Sequence, residues 1–465
     1  MKEKKIIPVK RNDDVIITID SYTSEGFGIG RYDGFAIFVQ YALIGETVNV
    51  HIIKVDKNYA IGKIIEHISI NNDIRQKPTC DVYYLCGGCD MQHMNYNCQL
   101  EFKRNRVVNA VKRISGCGTA DDMIEKTIGM DIPLQYRNKA SFPFSEIEGK
   151  IRLGFFAPRS HKLIPITDCP IQKKDIVITM RLVEKWANEN KISAYNEETN
   201  QGILRHLVIR STYSGILVTI VTSGNTLPYQ KELINILTEG IADLSGIVHN
   251  VNNKKTNVIL GANNKTVYGK DALIEKIKDL NFIVRTPSFL QVNHEQTEKL
   301  YETVLRYLQP KMNENIFDIY CGIGTISLFI AKNAGKVTGI ESVSEAIEDA
   351  RNNAKINNVT NVEFINGEAE KIMPQLINEK GIIDSVVIDP PRKGCDEAVL
   401  NSIINCGTKK VVYVSCNPET LARDMKILLN GGFEIDKIQP VDMFPQTSHV
   451  ETVVLMSRKA EKGLK

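Results

Sequence analysis

The chain has 465 residues, 43% of them hydrophobic and 24% charged, with a net charge of +3. That length exceeds one compact core, so two or three domains are expected. No apolar run approaches bilayer length and Met1-Lys-Glu-Lys-Lys-Ile6 has no signal-type apolar region, so the reading is cytoplasmic, with no membrane and no obligate protein partner evident.

Residues 1–70 alternate apolar and polar side chains from about Val15 to Ile68, punctuated by Gly26, Gly28, Gly30, Gly34, Gly45 and Gly62, as in a small OB-like β-barrel. Asn71-Asn72-Asp73 reads as a linker. Residues 71–285 form an expected central α+β domain with strands near 139–144, 204–211 and 216–222 and a helix over 176–190. Within it, Tyr96–Ile114 reads as a basic amphipathic helix ended by Gly116. Its Lys103, Arg104, Arg106, Lys112 and Arg113 form one candidate nucleic-acid face, and Arg205, His206 and Arg210 a second. A net charge near zero does not exclude such a partner when the cations are gathered on one side.

Ten cysteines in a chain without an export signal are expected to be thiols, metal ligands or catalytic groups. Cys80-x5-Cys86-x2-Cys89 places three in one loop, with Cys169 or the local rival Cys98 as a fourth ligand. Four thiolates suit zinc or an iron–sulfur cluster, and the uneven spacing is less typical of zinc.

Residues 286–465 alternate strands and helices, as in a Rossmann-like parallel sheet with helices on both faces. The strand Asn315–Tyr320 runs into Cys321-Gly322-Ile323-Gly324 and a helix, and Lys336–Ile340 ends in Glu341. Glycines at a strand end let a ligand approach, and an acid at the second strand end can accept from ribose hydroxyls. Ser342 and Glu345 read as a capping box. Asp389-Pro390-Pro391-Arg392-Lys393-Gly394 must turn at the sheet edge, because prolines cannot extend a central strand. The strand Lys410–Val414 ends in Ser415-Cys416-Asn417-Pro418, where Asn417 can cap and Pro418 can begin a helix. Cys416 thus precedes a helix N-terminus, whose dipole favours a thiolate. Among its rivals, Cys321 is expected to pack, Cys395 has no evident mechanism and Cys406 lies away from strand ends. His449-Val450-Glu451-Thr452 precedes the strand Val453–Met456, with Glu451 a candidate base.

Taken in order, Asp318-Ile-Tyr-Cys-Gly-Ile-Gly324, Asp389-Pro-Pro-Arg-Lys-Gly394, Val414-Ser-Cys-Asn-Pro418 and His449-Val-Glu-Thr452 resemble the RNA uridine-5-methyltransferase family across essentially the whole chain. Ser288-Phe-Leu-Gln-Val-Asn293 resembles the family's motif just before its catalytic domain. The resemblance implies S-adenosylmethionine as methyl donor, Cys416 as the nucleophile that adds to uracil carbon 6, and Glu451 as the base that removes the carbon-5 proton. It implies that Gln291, Tyr320, Glu341 and Asp389 hold the donor, and that Cys80, Cys86, Cys89 and Cys169 carry a 4Fe-4S cluster.

Gly26-Phe-Gly-Ile-Gly-Arg31 and Gly45-Glu46 resemble the TRAM barrel of RNA-modifying enzymes. Barrel and cluster together imply ribosomal RNA, of the 23S type, over transfer RNA, with Arg137, Asn138, Lys139, Arg205 and His206 along its path. Two alternatives from other classes are an amino-group methyltransferase using the Asp389-Pro-Pro turn and a non-catalytic RNA-binding factor. The first normally has an aromatic residue where Arg392 stands. A radical S-adenosylmethionine enzyme needs C-x3-C-x2-C, which this chain lacks.

Overall fold

The computed structural model describes residues 7–118, 120–380 and 383–459. Five strands, Asp14–Tyr22, Gly28–Tyr32, Phe35–Val39, Thr47–Val55 and Tyr59–Ser69, close into a barrel in the order first, second, third, fifth, fourth. Their alternation turns Val15, Ile17, Ile19, Ile37 and Val50 inward, as a period-two pattern requires. The linker that follows is tied down. Arg75 donates to both carboxylate oxygens of Glu46, at 2.5 and 2.7 Å, and to the Tyr41 carbonyl at 2.7 Å. Glu46 is wholly buried.

Helix Tyr96–Ala110 is capped by Asn95, continues as a π turn over Val111–Ser115 and stops at Gly116, whose φ is 79°. Its reading as a basic face for nucleic acid is corrected at Lys103, Arg104 and Arg106. Lys103 is completely buried in an ion pair with Asp442. Arg106 donates to Glu419 and to the Ser448 carbonyl, each at 2.9 Å, and Arg104 to the Ile124 carbonyl at 2.9 Å. Lys103 and Arg106 dock the helix onto the C-terminal domain, whose core receives Val107, Val108 and Val111, while Arg104 ties it to the segment at Ile124.

The central sheet has seven strands, ordered Asn263–Gly269, Leu244–Val251, Gly215–Thr222, Leu204–Thr212, Lys139–Ile147, Lys150–Phe156 and Leu163–Pro165. Helices Lys174–Glu189 and Gln230–Gly240 cover it through Met180, Val183, Trp186, Leu233 and Leu237. The hairpin Ala272–Ile277/Leu280–Arg285 leads out, and its Ile277, Leu280, Phe282 and Val284 pack into the C-terminal core.

The C-terminal sheet also has seven strands, in the order Val362–Asn366, Lys336–Glu341, Asn315–Ile319, Ser385–Ile388, Lys410–Ser415, Glu451–Arg458 and Phe433–Val441. Helices His294–Leu308, Thr325–Ala331 and Ser344–Ile356 cover one face, and Ala369–Lys380, Glu397–Asn405 and Pro418–Asn430 the other. The first five strands are parallel, but Glu451–Arg458 is antiparallel to both its neighbours. The expected parallel sheet is corrected there, because a loop without a crossover helix joins Phe433–Val441 to it. No described helix is long and apolar enough to cross a membrane.

Candidate active site

Parallel strands deliver their carboxyl ends to one edge of the sheet, and Cys416 follows the last residue of Lys410–Ser415 there. The antiparallel strand brings its first residue to the same edge, since Thr452 pairs with Ser415. Glu451 therefore stands beside Cys416; in an all-parallel sheet it would lie at the opposite edge. Gln291, Tyr320, Glu341, Asp389, Cys416 and Glu451 all line one cavity of about 1180 Å3.

Local structure fixes each of them. Asn417 caps Pro418–Asn430 by accepting from the Glu419 amide at 3.0 Å, and its own amide donates to Ser415 Oγ at 3.1 Å. The Asn417 and Thr420 side chains donate to the Arg392 carbonyl at 3.2 and 3.3 Å, pinning the Pro-Pro turn to this helix. Tyr320 adopts a left-handed φ of 68°, and its hydroxyl lies 3.6 Å from Cys395 Sγ.

The two glycines of the first turn do different jobs. Gly322, at φ 55°, has open space where a Cβ would stand, and its amide donates to Glu341 at 3.2 Å. A Cβ on Gly324 would meet the Phe364 ring at 2.7 Å, so that glycine serves packing. Glu341 also accepts from the Val343 amide at 2.9 Å. The predicted capping box does not form: the helix starts at Ser344 without a side-chain cap, while Ser342 bonds Glu341 and Glu345 bonds Ser344. The Gly322 and Val343 amides and the Ser342 hydroxyl together orient Glu341 at the strand end.

Gln291 belongs to a loop held from the central sheet. Arg210 donates to the Ser288 carbonyl at 2.7 Å and Asn138 to the Gln291 carbonyl at 3.3 Å. Arg205 is buried and donates to the Asn252 and Lys254 carbonyls at 2.7 and 2.8 Å, so the expectation that it faces RNA is corrected to a structural role. Arg137 does reach the cavity wall. Sequence reasoning passed over Phe289, His449 and the part played by Arg392. Phe289 is 71% exposed at the cavity, an aromatic face free to stack. Its place beside Gln291 in a motif already singled out was the available signal.

The electrostatics differ from the expected low-pKa thiol. Burial, then Glu451 and Asp389, push Cys416 up to about 11, against a lowering pull from Arg392. Burial and then Asp389 raise Glu451 to about 8, and burial and then Asp318 raise Asp389 to about 7. Three acids crowd one cavity, and the dipole of a single helix end does not offset their burial and mutual repulsion. Cys395 lines the same cavity but is buried, whereas Cys416 is half-buried. Burial holds Cys321 well above the thiol range and lifts Cys395 to about 12, and Cys406 donates to the Ile403 carbonyl at 3.2 Å.

Cys80, Cys86, Cys89 and Cys169 line a second cavity of about 360 Å3, walled also by Arg137 and Lys139. Cys98 packs elsewhere, with Leu43, Met91, Met94 and Phe102. Among the described residues, no three His, Cys, Asp or Glu side chains gather closely enough to hold one metal ion.

Residues 95–459 match the family described as tRNA (uracil-5-)-methyltransferase, and residues 9–65 match the TRAM domain. An uncharacterized RNA methyltransferase of Clostridium acetobutylicum is 46% identical over 458 residues, covering 98% of this chain and 99% of the relative. Another, of Halalkalibacterium halodurans, is 43% identical, covering 98% of this chain and 99% of the relative. Among solved structures, the tRNA (uracil-54, C5)-methyltransferase of Pyrococcus abyssi in complex with S-adenosyl-L-homocysteine is similar with a TM-score of 0.75 and 29% identity. That likeness covers 94% of this chain and 98% of the other.

Proposed function

From the premise that this chain belongs to the tRNA (uracil-5-)-methyltransferase family and is an S-adenosylmethionine-dependent RNA (uracil-5-)-methyltransferase, we propose that Cys416 and Glu451 carry the reaction on 23S ribosomal RNA. One observation carries the assignment of residues: both line a single cavity with Gln291, Tyr320, Glu341 and Asp389, the residues proposed to hold the donor.

The chemistry follows from the base. Uracil carbon 5 is a weak nucleophile until Cys416 Sγ, as thiolate, adds to carbon 6 and moves the electron pair into an enolate. Carbon 5 then attacks the sulfonium methyl, and S-adenosylhomocysteine leaves. Glu451, as carboxylate, takes the carbon-5 proton; the released pair re-forms the 5,6 double bond and expels the Cys416 thiolate. Phe289, exposed on the cavity wall, would stack on a base flipped out of the RNA.

Cys80, Cys86, Cys89 and Cys169 we assign to a 4Fe-4S cluster. Zinc needs all its sulfurs about 2.3 Å from one ion, whereas a four-iron cluster binds each thiolate to a different iron and so needs wider spacing. The absence of a tight three-ligand group among the described residues therefore weighs against zinc and not against the cluster. Arg137, not ion-paired to a described carboxylate, supplies positive charge for an anionic group, and an anion beside Lys139 would offset the burial that lowers that lysine to about 8. Methyl transfer consumes no electron, and a cluster held there would cross-link the segments around Cys80–Cys89 and Cys169.

Transfer RNA is the second reading, favoured by the nearly full-length likeness to the Pyrococcus abyssi enzyme. Mass-spectrometric mapping of 5-methyluridine in cells with and without the gene decides between them. Loss from ribosomal RNA is expected, and loss confined to transfer RNA would replace the first reading by the second. RNA carrying 5-fluorouridine should trap the enzyme covalently, and Cys416→Ala should neither trap nor turn over. Turnover by that variant would return the amino-group chemistry of the Asp389-Pro-Pro turn to consideration.

A further inference from the structure

The Glu451 carboxyl makes no hydrogen bond to any described residue, although it is buried. Its position is set by the chain that delivers it. Asp442–Val450, the loop between Phe433–Val441 and Glu451–Arg458, has no helix or strand of its own. It carries His449 into the cavity and ends at Glu451.

Tyr136 and Asn293 hold its first half, donating to the Pro445 and Met443 carbonyls at 3.0 and 3.1 Å, and what anchors its end at Ser448 lies about 350 residues away in sequence. The Ser448 amide donates to Asp90 Oδ1 at 2.7 Å, and Ser448 Oγ donates to Asp90 Oδ2 at 2.9 Å. The Asp90 and Met91 amides donate to the Gln446 carbonyl at 3.2 and 3.1 Å, and Arg106 donates to the Ser448 carbonyl at 2.9 Å. Every polar group of Ser448 is thus engaged, and two of its three partners are the oxygens of one carboxylate.

Asp90 directly follows Cys89 in the four-cysteine loop, and the two cavities share Arg137 and Val292 as a common wall. A carboxylate that accepts a backbone and a side-chain donor from the same residue fixes both position and orientation. Misplacing a base by about 1 Å costs on the order of a hundredfold in rate. We propose that Asp90 is a positioning residue for proton abstraction, and that the four-cysteine loop holds the Glu451 loop in register with the adduct through it. The proposal rests on Glu451 being the base, and the experiment separates the two.

The test is single-turnover methylation with purified full-length protein, following both the covalent RNA–protein adduct and free 5-methyluridine. Iron and sulfide content and thermal midpoint are measured on every variant. Glu451→Gln should accumulate methylated adduct; failure to do so sinks the base assignment itself. Asp90→Ala should form adduct at near the parent rate and release product roughly a hundredfold more slowly, with unchanged iron content. Asp90→Asn should restore release, because its amide can accept from the Ser448 amide and donate to Ser448 Oγ. If Asp90→Ala fails to fold, Ser448→Ala, which leaves the chain around the four cysteines unaltered, decides by the same adduct readout with a several-fold effect. Release at the parent rate, or equal loss of adduct formation and release with a lowered midpoint, overturns the proposal while leaving Glu451 in place.

Discussion

Cys416, Glu451 and Asp389 face one another with Arg392 as the positive group that pulls on both Cys416 and Glu451. Burial and mutual repulsion therefore hold Cys416 and Glu451 largely protonated at pH 7, while Asp389, at about 7, is midway through its titration. The sign follows: a raised acid is ionised only as pH climbs past its folded-state value, so adduct formation should accelerate from pH 7 towards 9. A bound sulfonium adds the missing positive charge and favours all three anions. Titrating the thiolate absorbance near 240 nm should show Cys416 ionising at lower pH with S-adenosylmethionine than with uncharged S-adenosylhomocysteine. Equal titrations with the two would show that donor charge does not activate the cysteine. The positions of Cys416 and Asp389 were legible in the sequence, because strand ends and Pro-Pro turns leave local marks. Their ionisation was not, since burial and mutual repulsion arise only when distant strands meet.

At the level of elements, helix Tyr96–Ala110 shows where pattern reading stops. Its basic residues scan as a solvated face, and nothing local reveals that Lys103 meets Asp442 in the interior. Lys103 also donates to the Phe444 carbonyl at 3.0 Å, so the ion pair braces the near end of the Glu451 loop. Removing one partner strands a buried charge. Lys103→Met should cost about 3–5 kcal/mol in urea unfolding, and the double variant Lys103→Met/Asp442→Leu should recover most of that. Equal losses in single and double variants would mean that the pair contributes packing only. The direction of Glu451–Arg458 was hidden for a related reason. An apolar strand reads the same in either sense, and its antiparallel sense is what brings Glu451 to the edge that Cys416 occupies.

At the scale of the whole molecule, the barrel has its own core of Val15, Ile17, Ile37, Val50 and neighbours, yet it is not a loose appendage. Arg75 locks Glu46 from outside the barrel, and a Cβ on Gly26 in its first turn would come within 4 Å of Met91, Phe102 and Ser448. The barrel therefore has two available jobs: presenting RNA to the cavity, or buttressing the Glu451 loop. Arg75→Met distinguishes them, because it takes the guanidinium from buried Glu46, leaving that carboxylate the Leu43 amide, and loosens the joint without touching the cavity. If the barrel captures RNA, KM for RNA should rise about tenfold, equivalent to ~1.4 kcal/mol of binding. In that case kcat at saturating RNA and the Kd for S-adenosylmethionine should be unchanged. A fall in kcat at constant KM, with methylated adduct accumulating as for Asp90→Ala, would instead make the barrel part of the frame that holds the base. Arg75 bonds Glu46, and the next residue, Gln76, donates its amide to the His93 carbonyl at 2.9 Å, which joins the barrel to the four-cysteine loop. The split between KM and kcat reads which job that joint does.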